Sequence, residues 1–142
     1  MAVKRISPAE AQALMAAGYL YIDVRSVPEF ADGHPQGARN VPLAHAGAGG
    51  QMSPNPDFAV VMEARFARDA MLVIGCRSGA RSQRAAMMLE AAGFVNLVEM
   101  RGGMMGEMDG MGRAVDKGWA AVGLPVARVA EAGASWEELK GG

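Results

Sequence analysis

The chain has one cysteine, two histidines and aromatic residues at only 6% of its 142 positions. A single cysteine excludes an internal disulfide framework and fits a reducing compartment, which makes the cytoplasm the expected location. His34, His45 and Cys76 lack the spacing of zinc ligands, so neither a metal nor a cofactor is implied. No stretch approaches the ~18 uninterrupted apolar residues of a membrane span. Behind Lys4 and Arg5, the residues Pro8, Glu10 and Gln12 interrupt at once, so no leader peptide is expected. An excess of one charge is missing too. Fourteen basic residues against fifteen acidic ones give a net charge of -1, with no electrostatic reason to expect nucleic acid or an anionic membrane as partner.

What remains, 51% hydrophobic and 20% charged residues, describes one globular domain over residues 1–142. Ser7-Pro8-Ala9-Glu10 is a capping box opening a short helix that Gly18 closes. Tyr19 to Val24 reads as a strand that delivers Asp23 and Arg25 to its end, and a brief helical turn follows from Ser26 to Gly33. Ala38 to Val41 reads as a short strand, and Leu43 to Asn55 as an irregular loop. Asn55 is placed to cap a helix opened by Pro56, with Phe58, Val61, Met62 and Phe66 on one face. Met71 to Ile74 is a continuous apolar run, the pattern of a strand buried on both faces. Ala85, Met88, Leu89 and Ala92 form the next helical stripe, and Val95 to Val98 the last clear strand. Strands alternating with helices predict an α/β fold with a mostly parallel central sheet and helices on both faces. Parallel strands end on one edge, and ligands bind outside that edge. Cys76, Asp23, Arg25 and the Arg101-Gly102-Gly103 corner are expected there together.

The candidate site is Cys76-Arg77-Ser78-Gly79-Ala80-Arg81-Ser82. An apolar strand feeding a glycine-containing turn that opens a helix sets a thiol among unpaired backbone N–H groups, a cradle for an anion. Thiolates are favoured at helix N-termini beside arginine, and a small buried cysteine at a strand end needs neither Arg77 nor Arg81. After this, residues 104–118 turn rich in methionine and glycine. Met105, Met108 and Met111 carry soft thioether ligands, but the simpler reading is an adaptable apolar wall. The tail, 131–142, holds Ser135-Trp136-Glu137-Glu138, a terminal helix pinned by one tryptophan.

In order, these motifs resemble the rhodanese (thiosulfate sulfurtransferase) family in its single-domain form, with a core over about residues 6–126. Tyr21-Ile22-Asp23-Val24-Arg25 and Pro28-Glu29-Phe30 are similar to its first strand and turn. Gly33-His34, Gly37-Ala38 and Asn40-Val41-Pro42-Leu43 are similar to its Gly-His-x-x-Gly-Ala segment and the strand after it. Cys76 to Ser82 resembles the active-site loop, Gly93-Phe94-Val95-Asn96 the segment after the next helix, and Gly102-Gly103, Trp119 and Gly123-Leu124-Pro125-Val126 the closing pattern. Two departures stand out. Pro35 follows His34 directly, a local turn variation, and the stretch between Gly103 and Trp119 is longer than in most relatives, which suggests a rim or lid over the pocket.

The resemblance implies an enzyme that moves a sulfane sulfur from thiosulfate or a similar donor to a thiol or cyanide through a Cys76 persulfide. Cys76 is then the nucleophile. Arg77, Ser78, Gly79, Ala80, Arg81 and Ser82 bind the substrate, and Asp23 and Arg25 support the site. Partners are a small sulfur donor and a thiol acceptor, with a protein thiol as a further acceptor. Such transfer from a low-pKa thiolate needs no general base, so a structural hydrogen bond is expected of His34. The two arginines suit a small inorganic dianion better than mercaptopyruvate. An Arg25 to Glu29 ion pair would be an ordinary surface contact. Two other readings remain open, a persulfide carrier without turnover and a cysteine phosphatase or arsenate reductase-like enzyme. A phosphatase loop needs five residues between cysteine and arginine, whereas only four separate Cys76 from Arg81.

Overall fold

A computed structural model describes residues 3–77 and 80–141. Five strands form one parallel sheet in the order β1-β8-β7-β2-β4: β1 Lys4–Ile6, β2 Leu20–Asp23, β4 Arg39–Asn40, β7 Met71–Gly75 and β8 Asn96–Met100. Between them run α1 Pro8–Ala16, α2 Val27–Asp32, α3 Phe58–Arg65 and α4 Ala80–Ala91, with α5 Trp136–Gly141 closing the chain. The minor strands are β3 His34–Pro35, β5 Ala44–Ala46, β6 Met52–Pro54, β9 Glu107–Met108, β10 Ala114–Asp116 and β11 Val126–Ala127. No helix among the described residues is long and apolar enough to cross a membrane.

Alternation along the strands explains the two-sided core, because successive side chains point to opposite faces. Ile22, Leu72, Ile74 and Leu97 pack with α3, α4 and α5 through Phe58, Met62, Ala85, Leu89 and Trp136. Tyr21, Val73 and Met100 point the other way, where Ala11, Phe30, Met104 and Trp119 cover them. Helices therefore lie on both faces, as the patterning predicts. Glu99 shares the phase of Leu97 and so lies on the α4 side of β8.

Several local expectations are corrected. Lys4–Ile6 is the edge strand β1, paired with β8, where two basic residues had masked the strand pattern. The expected loop from Leu43 to Asn55 contains the β5–β6 hairpin. Asp57, not Asn55, is the N-cap of α3; Asn55 instead donates to Pro42 O and accepts from Asp57 N. Met88 is exposed, and Ser82 and Ala86 join Ala85 and Leu89 on the buried face of α4. In the insertion, β9 and β10 form a hairpin whose methionines do not build a buried wall: Met105, Met108 and Met111 are exposed, and Met104 alone of the four is buried.

Candidate active site

Cys76 follows the last residue of β7, and α4 begins four positions later. The thiol is buried. Asp23 ends β2 and Met100 ends β8, so the expected grouping on one sheet edge is present. Ser78 and Gly79 lie outside the described residues. The start of the insertion clamps the loop: Met104 N donates to Cys76 O at 2.7 Å and Met105 N to Arg77 O at 2.8 Å. This close approach requires Gly103. Its φ is +55°, and a Cβ there would come within 2.6 Å of the Arg77 carbonyl oxygen.

Arg77 and Arg81 line one cavity of about 400 Å³, together with Ser26, Glu29, Ala46 and Met52. Arg81 is committed to Glu29, Nη1 to Oε1 at 2.6 Å and Nη2 to Oε2 at 2.9 Å. Burial works against the Glu29 charge, but the hydrogen bonds from Arg81 and Ser26 outweigh it and hold the carboxyl at about 2. The Arg25–Glu29 pair expected from their spacing is therefore absent. Arg25 turns inward instead. It donates to both Asp23 carboxylate oxygens and, through Nη2, to Gly33 O at 2.7 Å. Asp23 thus holds Arg25 and the turn into α2, and Asn40 Nδ2 ties the same corner by donating to Asp23 O and Arg25 O. His34 Nδ1 lies 2.7 Å from Phe30 O with its ring stacked on Phe30, a structural role.

Below the loop, Cys76 Sγ lies 3.3 Å from Ser82 Oγ, and Ser82 donates a short hydrogen bond to Glu99 Oε2. Arg5 Nε donates to Glu99 Oε1 at 2.5 Å and Arg5 Nη2 to Glu107 Oε1 at 3.0 Å. Glu99, Arg5 and Glu29 were not among the candidates read from sequence. The one signal for Glu99 was a lone acid in phase with the core-facing Leu97. Among the described residues no group of three or more His, Cys, Asp or Glu side chains is arranged to hold a metal ion.

The chain is thus an α/β protein with a buried thiol at the carboxyl edge of its parallel sheet, directly before the helix that carries Arg81. The chain belongs to the rhodanese family, whose model, Rhodanese-like domain, matches residues 7–106. It is 38% identical over 120 residues to Thiosulfate sulfurtransferase 16, chloroplastic, of Arabidopsis thaliana, covering 84% of this chain and 89% of that one. It is 34% identical over 100 residues to Thiosulfate sulfurtransferase GlpE of Pseudomonas fluorescens, covering 70% and 80%. The crystal structure of Rv0390 from M. tuberculosis superposes with a TM-score of 0.73 at 27% identity, covering 91% of this chain and all of that one. At the level of the family, this is a sulfurtransferase domain.

Proposed function

We propose that the protein is an enzyme that takes the outer sulfur of thiosulfate onto Cys76 and passes it to a thiol or cyanide. The Cys76 thiolate attacks that sulfur, a new S–S bond forms at Sγ, and the bond inside thiosulfate breaks with its electron pair leaving on sulfite. The acceptor thiolate then attacks the outer sulfur of the persulfide, and Sγ departs as thiolate. The observation that supports this reading is Cys76 at the carboxyl end of β7, directly before the helix that carries Arg81, in a chain of the rhodanese family. Two guanidinium groups against the single Glu29 carboxylate favour an anion in the cavity that Arg77 and Arg81 line. A reducing compartment such as the cytoplasm suits a site that depends on one reduced thiol.

Steady release of sulfite on addition of thiosulfate and cyanide tests the reading. One equivalent released without turnover would identify a carrier that hands sulfur to a protein thiol. Phosphate release from a phosphotyrosine mimic without sulfite formation would identify a phosphatase.

A further inference from the structure

Of the row Cys76, Ser82, Glu99 and Arg5, the transfer steps proposed above use Cys76 alone. Glu99 and Ser82 are 1% and 0% exposed, so neither side chain is a surface ornament. The donors run in one direction. Cys76 Sγ lies within hydrogen-bond distance of Ser82 Oγ, and Ser82 Oγ within hydrogen-bond distance of Glu99 Oε2, so a thiol at Cys76 donates to Ser82 and Ser82 to the carboxylate. A hydroxyl in that position can accept from a thiol and donate to a carboxylate, or do the reverse for a thiolate and a carboxylic acid. Both arrangements satisfy the same three atoms and carry the same net charge.

We propose that Cys76 and Glu99 share one proton through the Ser82 hydroxyl, so that Glu99 is a positioning residue that sets the thiolate fraction of the nucleophile. This rests on Cys76 being the sulfur-transfer nucleophile. The S–H bond breaks as an O–H bond forms on Ser82, and the original Ser82 O–H breaks as an O–H bond forms on Glu99. No electrons are gained or lost; the negative charge moves from the carboxylate to Sγ. When Sγ departs from the persulfide as thiolate, the ionised partner regains the same proton by the reverse path.

The surroundings balance the pair. Burial raises the Glu99 carboxyl above its ordinary value, while the hydrogen bonds from Ser82 and Arg5 oppose that rise. Glu107 on β9 lies behind Arg5, Glu90 on α4 lines the same cavity as Glu99, and Tyr21 on β2 is kept neutral by burial. Arg5 is thus the cation that decides how far the proton leans toward the thiol. Because Glu107 belongs to β9 of the insertion, that hairpin is tied to the proton-holding carboxylate through one guanidinium.

A shared proton has a signature that a purely structural carboxylate lacks. While one proton is shared, the thiolate fraction does not change with pH, so reactivity is flat over an interval before its final rise. Alkylation of the full chain by iodoacetamide, with no sulfur donor present, reads this directly, since the thiolate is the reactive form. The wild-type rate is expected to show the flat interval. Glu99→Gln is expected to rise about tenfold per pH unit without a flat interval and to lie above the wild type inside it, because the competing negative charge is gone. Arg5→Met is expected to raise the flat interval and move its acidic edge to higher pH. A single titration curve in the wild type, parallel to that of Glu99→Gln, would overturn the proposal. Should Glu99→Gln fail to fold, Arg5→Met decides, an unchanged profile overturning it. Sulfur loading is a separate measurement, so failure there leaves this result intact, and the reverse holds as well.

Discussion

Arg81 grips the carboxylate of Glu29 with both terminal nitrogens, although 52 positions separate the two residues. This bidentate pair joins the active-site loop to the first turn of α2 and sets the charge of the cavity that Arg77 shares. A fork of this kind holds geometry as well as charge. Under the proposed function the two residues are expected to act on donor binding in opposite directions.

Arg81→Ala leaves the Glu29 carboxylate facing the cavity without its cation. KM for thiosulfate is expected to rise about 10- to 100-fold, the value of a lost charge-assisted contact. Adding Glu29→Gln to that variant removes the repelling charge and recovers part of the loss. Steady-state kinetics of the two single variants and the double variant measure the coupling, and equal KM values for Arg81→Ala and the double variant would contradict it.

The same pair has a pH signature in stability. Glu29 is held at about 2 against an ordinary 4.5, so its contribution is present above about pH 4.5 and is lost as pH falls through about 2. Near neutral pH the wild type should exceed Glu29→Gln by about 1–2 kcal/mol once solvent screening is allowed for. The gap should close toward pH 2. Thermal unfolding of both proteins across this range checks it.

Gly103→Ala puts a methyl group against the Cys76 and Arg77 carbonyls at a φ that disfavours it. The hydrogen bonds from Met104 and Met105 that clamp the loop must then lengthen. A cost of about 1–3 kcal/mol in unfolding free energy is expected. The loss in kcat should be about 100-fold or more, because displaced loop N–H groups no longer meet the developing charge. The fall in kcat should persist in fully folded protein.

Asp23→Ala strands the buried Arg25 guanidinium, and breaking such a pair costs about 3–5 kcal/mol. The hydrogen bonds of the Asp23 carboxylate all come from Arg25, and no atom of the Cys76 loop is among its side-chain partners in the described residues. Denaturant unfolding should therefore show a large loss, while sulfur taken up per folded molecule stays near that of the wild type.

The strand ends, the helix mouth and Cys76 were legible in the sequence because each rests on a local pattern: an apolar run, a glycine turn, a period of two or of 3.6. The failures share a physical cause. Glu29 has Arg25 four residues away, yet its partner is Arg81, and only the tertiary fold, which brings the first turns of α2 and α4 within side-chain reach, makes that pair. Arg5 carries no local signal for its partner, because only the pairing of β1 with β8 brings it to Glu99. Leu43 to Asn55, with its glycines and prolines, carries little strand propensity and still forms a hairpin through backbone bonds. Glu99 lies just past the strand expected over Val95 to Val98, whereas β8 runs on to Met100 and carries it inward.

The proposed sulfur transfer depends on Cys76 Sγ being the atom that carries sulfur. Intact-protein mass spectrometry after thiosulfate treatment, followed by peptide mapping, measures that directly. The wild type is expected to gain the mass of one sulfur atom, located on Cys76, lost on treatment with cyanide and absent from Cys76→Ala. A wild-type protein of unchanged mass, or the same gain in Cys76→Ala, would contradict the account.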